Sequence, residues 1–304
     1  MQSSRRFNGG SCMNVTTIHK YYNPVTATPY RCTEDYMEFA PCDALKPYIR
    51  CFWGSRRAVR REGNGAGEMG IVIPDTCMDI IFHVDFTHNK ISSSFCGIDD
   101  RTFAASHGSS EKKTYFVFAV RFYPWSAALF AEESLRETKN GFFDADCHFP
   151  TVKREIERYL FDAADICQLI PVAEKILLSR LDERHQNQTV FRAVARMLEK
   201  KGNIMVSALG RDVFVGSRQL QRLFLEYVGV SPKSLAAMVR YQYIWNELLH
   251  DKNFNKADAA FRYGYADQAH LCHDFRKYHS MNMAEARRYA AQDVANIQDR
   301  RCRV

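Results

Sequence analysis

Ser217-Arg-Gln-Leu-Gln-Arg-Leu-Phe224, followed by Gly229-Val-Ser-Pro232, is the stretch that decides the architecture. Leu220, Leu223, Phe224 and Tyr227 recur at helical intervals, so one face of this segment is apolar. Ser217, Arg218, Gln221 and Arg222 fall on the other face, near its N-terminal end. Fifty-one residues later the design repeats. Setting Leu209 on Ala260, Leu220 on Leu271 and Phe224 on Phe275 brings two helix–turn–helix units into register. In the second, Leu271, Phe275 and Tyr278 form the apolar stripe, and Gln268, Ala269, Cys272 and His273 are presented. Arg218 thus pairs with Ala269, Gln221 with Cys272 and Arg222 with His273. A single polar helix face reads most simply as a solvated one; two in register ask for a shared ligand.

The charge distribution narrows that ligand. The chain carries +7 over 304 residues. From Thr189 to the end there are 19 Lys and Arg against 11 Asp and Glu, a net +8, which leaves −1 for residues 1–188. A basic module joined to a neutral one suits a polyanion-binding domain with a partner domain. Arg can fork onto guanine and Gln onto adenine in a major groove. Double-stranded DNA is therefore the expected partner.

Helix signals frame both units. Val190, Val194, Met197 and Leu198 make a stripe stopped by Lys200-Lys-Gly-Asn203. Ser231-Pro232 opens a long helix, about 232–250, carrying Tyr241, Ile244, Trp245, Leu248 and Leu249. Asn255 and Asp267 stand where N-caps belong. Upstream, Gly70–Ile73, Asp79–Val84 and Tyr115–Phe122 are expected strands, with loop chemistry at Gly63–Gly67 and Pro74-Asp75. Ile166, Ile170, Ala173, Leu177 and Leu181 follow at helical spacing, with Pro171 expected to break or start a helix. The expected layout is a flexible tail over 1–33, a regulatory domain over 34–182 and a linker over 183–189. The DNA-binding domain then covers 190–288 and a C-terminal tail 289–304. This is a multidomain α+β chain: a β-rich domain with trailing helices, then an all-α domain.

Residues 190 to about 288 resemble the DNA-binding domain of the AraC/XylS family of bacterial transcription regulators. The resemblance runs through Ser217–Phe224, Gly229–Pro232, Gly264-Tyr-Ala-Asp-Gln-Ala-His270 and Asp274-Phe-Arg-Lys277. It implies two helix–turn–helix subdomains joined by the long helix, with both second helices entering successive major-groove turns about 34 Å apart. It also implies RNA polymerase as a partner and no cofactor, with activator and repressor both open as the sign of regulation. Departures are Phe214 for a turn glycine, Gly216 for a capping Ser, His273 for an Arg and Ser280-Met-Asn-Met283 for Gly-x-Ser/Thr-Pro.

Tyr36–Pro41, Cys51-Phe-Trp53, Ile73–Phe82 and Val120–Pro124 resemble, more loosely, an N-terminal domain found in one branch of that family. This implies a β-rich sensing or dimerisation domain, of which a cupin-like fold is one form, with a small-molecule effector or a second copy as partner. Trp53, Asp75, Asp79, His83, Arg121 and Tyr123 are the candidate effector-binding residues; aromatic core and a Pro-Asp turn are the alternative. Cys77 is either a thiol sensor or a buried inert thiol. The ten cysteines show no CxxC pair and no zinc spacing, so neither a metal nor a catalytic constellation is expected. The remaining alternative is a cupin-like metalloenzyme or ligand-binding protein with a degenerate helix–turn–helix domain. With no apolar leader and no membrane-length apolar run, a cytoplasmic protein is expected.

Overall fold

The computed structural model describes residues 14–62, 69–106 and 112–298. The described residues open with the short helix α1 (Val15–Ile18) and then build β1 (Met37–Phe39), β2 (Ile49–Gly54), β3 (Val59–Glu62) and β4 (Met69–Val72). There follow β5 (Met78–Asp85), β6 (Lys90–Cys96), β7 (Phe103–Ser106), β8 (Lys112–Phe122) and β9 (Phe142–Asp144). The main sheet is antiparallel in the order β1-β2-β8-β5-β6-β9, with β3 also on β8; β4 and β7 pair separately. The expected strands are present, each a little longer or shifted, while Gly63–Gly67 lies outside the described residues.

Alternation explains the layering. Phe116, Phe118, Val120 and Phe122 of β8 point to one face and are buried, with the Phe118 ring 5.9 Å from Phe52 and 6.1 Å from Phe82. Phe149, just before α2 (Pro150–Glu157), stacks on Phe122 at 5.8 Å and closes that face. The opposite face carries Arg121 and its register partners Asp79 and Cys51. Helix α3 (Ile166–Arg180) runs straight through Pro171 instead of breaking there. The proline is only five residues from the helix start, so one bond is lost, and Cys167, four residues before it, is exposed where water can take the freed carbonyl.

The remainder is helical: α4 (Gln188–Glu199), α5 (Val206–Asp212), α6 (Ser217–Tyr227), α7 (Pro232–His250), α8 (Lys256–Arg262), α9 (Gln268–His279) and α10 (Met283–Gln298). Ser231, Asn255 and Asp267 accept amide hydrogen bonds as the caps of α7, α8 and α9. Asn282 caps α10 through Ala284 N and Glu285 N, while its own amide donates to the Glu285 carboxylate. That reciprocal box takes over from the Ser/Thr-Pro start the family resemblance led one to expect.

Two expected boundaries are corrected. The C-terminal segment is not a tail from residue 289: α10 continues to Gln298, with Ala290 buried. Nor are residues 14–33 a loose tail. Ile18, Tyr22, Val25 and Ala27 are buried, and the segment forms a strap between the β-domain and α7. Tyr22 OH bonds Thr76 Oγ1 at 2.9 Å. From α7, Gln242 Nε2, Tyr243 OH, Trp245 Nε1 and Asn246 Nδ2 donate to the carbonyls of Val25, Tyr21, Thr26 and Asn23. Small apolar patches interrupted by polar residues hid this segment from periodicity, because beyond the single turn of α1 it is neither helix nor strand. Among the described residues no helix is long and apolar enough to cross a membrane.

Candidate nucleic-acid interface

The first unit packs α5 and α6 on α4, and the burial of Leu220, Leu223 and Phe224 fixes how α6 is rotated. Ser217, Arg218, Gln221 and Arg222 are all exposed as a result. Gln219, which the apolar pattern did not single out, is exposed beside them, and its Oε1 accepts from Arg222 Nε at 3.3 Å. The electrostatics set this helix apart. Arg196 pairs with Glu199 and Asp212, Arg240 with Asp274, and Arg262 with Glu247. Among the described residues neither Arg218 nor Arg222 has a carboxylate partner, so apart from the Arg222 Nε bond to Gln219 both guanidinium groups keep their donors for an outside acceptor.

The turn before α6 holds Phe214 at φ +59°, with 90 % of its surface exposed. A left-handed non-glycine costs about 1 kcal/mol or more. No burial offsets that cost here. Gly216, the N-cap, has no side chain to cap α6.

In the second unit Leu271, Phe275 and Tyr278 are buried, and Gln268, Ala269 and His273 are exposed. Cys272 is half-buried against the core, so the register partner of Gln221 is only partly presented. His270, Arg276 and Lys277 are exposed as well; the basic pair sits one turn beyond His273, a signal visible in the sequence as Arg-Lys at helical spacing from it. Helix α9 is tied to α7 by Arg240, whose guanidinium lies 4.2 Å from the centroid of Tyr265 and 3.3 Å from Asp274 Oδ2. Tyr265 OH donates to the same Asp274 oxygen. Ser280 ends α9 in the left-handed region at φ +62°. Behind it His279 is fully buried, stacked on Phe275 at 5.2 Å, with Nδ1 2.7 Å from Tyr241 OH. Burial pushes its pKa down to about 4.

On the outer face of the main sheet, four of the six candidate effector residues come together. Arg121 grips Asp79 through Nε at 2.9 Å and Nη2 at 3.1 Å, and lies 3.4 Å from Asp75 Oδ2. Trp53 Nε1 donates to Asp79 Oδ1 at 2.8 Å, with Arg121 over its ring. Burial opposes the Arg121 charge, but Asp79 and Asp75 more than restore it. Tyr123 stands apart, stacked on Trp125 at 4.4 Å. His83 is exposed four residues along β5 from Asp79. Asp99, missed in the sequence, is raised to about 7 by burial and by Asp75, Asp79 and Asp100. Burial also pushes the Cys77 thiol up, which keeps it protonated and unreactive. Among the described residues no three His, Cys, Asp or Glu are grouped to hold a metal. A separate groove of about 390 Å³ lies between the strap and α7, floored by Tyr22, Gln242 and Tyr243 and flanked by Lys20 and Lys201.

Residues 209–289 match the family described as Helix-turn-helix domain, and residues 37–144 match a Domain of unknown function (DUF6597). No curated protein matches the chain. Among solved structures, it is similar to a transcriptional regulator of Chromobacterium violaceum with an AraC-type DNA-binding domain. The two are 22 % identical over 34 % of this chain and 93 % of that one, with a TM-score of 0.32. The C-terminal domain of AraT, a response regulator of Geobacillus stearothermophilus, is 20 % identical over 34 % of this chain and 85 % of its own, TM-score 0.32. ToxT of Vibrio cholerae is 10 % identical over 78 % of this chain and 98 % of its own, TM-score 0.40. Residues 209–289 thus match a helix–turn–helix domain, and they contain the two helix pairs α5–α6, from Leu209 onward, and α8–α9.

Proposed function

We propose that the chain reads two successive major-groove segments of one duplex, with α6 supplying most of the base discrimination and α9 a weaker second contact. The observation that carries this is the state of Arg218 and Arg222: exposed at the N-terminal end of a recognition helix, beside Gln221, and without carboxylate partners among the described residues. An arginine fork on guanine contributes about 1–3 kcal/mol of discrimination. The second helix offers Gln268, Ala269 and His273 where the first offers Ser217, Arg218 and Arg222, so fewer forks are available to it.

The N-terminal domain modulates this reading. Its groove between strap and α7 is the better seat for a small effector than the Trp53 cluster. There Trp53, Asp79 and Arg121 spend their hydrogen bonds on one another, whereas the groove has free volume and touches α7 directly.

Selection of random duplexes by the full chain, at a fixed salt of about 150 mM, tests the reading, since affinity without a stated salt means little. Two short elements about one helical turn apart are expected. Arg222→Ala should relax preference at one base position, at a cost of about 1–3 kcal/mol. Uniform weakening across all sequences would make Arg222 a phosphate contact, and no enrichment by the wild type would end the proposal.

A further inference from the structure

Both recognition helices end on the β-domain. The carbonyl of Glu226, in the last turn of α6, accepts from Leu135 N at 2.9 Å and from Ser134 Oγ at 3.3 Å. The carbonyl of Tyr278, in the last turn of α9, accepts from the Thr102 hydroxyl. These carbonyls belong to the group that a helix leaves without an internal partner at its C-terminus. Each anchor is therefore a cap that the β-domain supplies to a reading helix.

The two anchors are braced to each other. Asp100 N donates to Asn140 Oδ1 at 2.9 Å, and Asn140 Nδ2 returns a bond to Asp100 Oδ1 at 2.9 Å. Lys139 Nζ reaches Asp100 Oδ2 at 3.0 Å. Asn140 N and Gly97 N donate to the carbonyls of Ile98 and Gly141. Packing is close throughout. A Cβ on Gly97 would lie 1.9 Å from the Thr138 carbonyl oxygen. One on Gly229, at φ +79° just past α6, would lie 2.4 Å from Thr138 Oγ1.

We propose that segments 97–102 and 134–141 form one rigid yoke that sets the distance and angle between the two recognition helices, and hence the spacing of the two DNA elements the chain accepts. The inference rests on the two-segment reading above. Leu135, Ser134 and Thr102 are positioning residues; none reaches a base. Asp100 and Asn140 make the yoke rigid, so removing either lets α6 and α9 move apart while each keeps its own polar face.

The test uses the full-length protein and a library in which the two selected elements are held constant and the gap between them is varied one base pair at a time. One step displaces an element by about 3.4 Å along the duplex, more than a braced pair of helices can absorb. Wild type should lose about tenfold in retention per step, within the usual span of coupling between sites. Asp100→Ala should cut that loss to less than about threefold while leaving the base preferences inside each element unchanged. Should Asp100→Ala melt with the fold, Thr102→Val, which removes only the hydroxyl that caps α9, should flatten the gap preference in the same way. Either folded variant retaining the wild-type gap preference overturns the yoke and leaves two-segment reading intact. Altered base preference within an element also overturns it, since the yoke would then be shaping the heads themselves. No enrichment by wild type overturns both.

Discussion

His279 shows what one side chain contributes to the second helix–turn–helix unit. It sits where a solvated histidine would be costly, between Phe275 and Trp245, with a single polar partner in Tyr241. Its folded pKa of about 4 lies below the ordinary 6.5, so the unfolded chain takes up the proton first as pH falls. Stability is thus complete above about pH 6.5 and declines down to about pH 4, with about 2 kcal/mol lost by pH 5. Thermal melts at pH 7 and pH 5 measure this directly, and His279→Gln should remove that part of the pH dependence. An equal pH slope in the variant would assign the loss to other groups. Phe214 is the opposite kind of residue, strained and exposed where His279 is relaxed and buried.

At the level of elements, α7 does more than join two helix–turn–helix units. Gln242, with 1 % of its surface exposed, accepts from Val25 N at 2.9 Å and donates to Pro74 O at 2.7 Å, so one amide fastens helix, strap and sheet domain together. Gln242→Ala leaves a buried amide and two carbonyls unpaired and should destabilise the chain by about 2–4 kcal/mol, read from the denaturation midpoint. A loss below about 0.5 kcal/mol, the level of an ordinary surface change, would mean that water replaces the amide. This fastening was illegible in the sequence, although its neighbours were not. Helices α6, α7 and α9 were legible because Leu220, Ile244 and Phe275 recur with the helical period, and Ser231, Asn255 and Asp267 announce the starts of α7, α8 and α9. Gln242 falls between Tyr241 and Ile244 without any periodic meaning of its own, since its role depends on a carbonyl 168 residues away. The Trp53–Asp79–Arg121 cluster was half legible. Its members come from three strands, but only the folded path of the loop after β6 brings Asp99 close enough to feel Asp75 and Asp79.

Across the whole molecule the two domains share strap, yoke and α10, where Tyr289 OH accepts from Ile71 N at 3.4 Å. Domains so joined should not melt independently. A calorimetric scan of the full chain is expected to show one transition, with calorimetric and van't Hoff enthalpies in agreement. Two resolved transitions would contradict the shared interface.

The strap also bears on synthesis. Val25 and Gln242 are separated by 217 positions, and the seats for Asn23 and Thr26 lie further on, at Asn246 and Trp245. The strap leaves the ribosome long before α7 and is therefore among the last of the described segments to find its place. Until α7 has emerged, Tyr22, Val25 and Ala27 have lost their cover on one side, and pairing across so long a stretch of chain is slow. A nascent chain stalled before residue 242 presents an apolar ribbon to whatever chaperone stands nearest, and only the finished polypeptide can withdraw it.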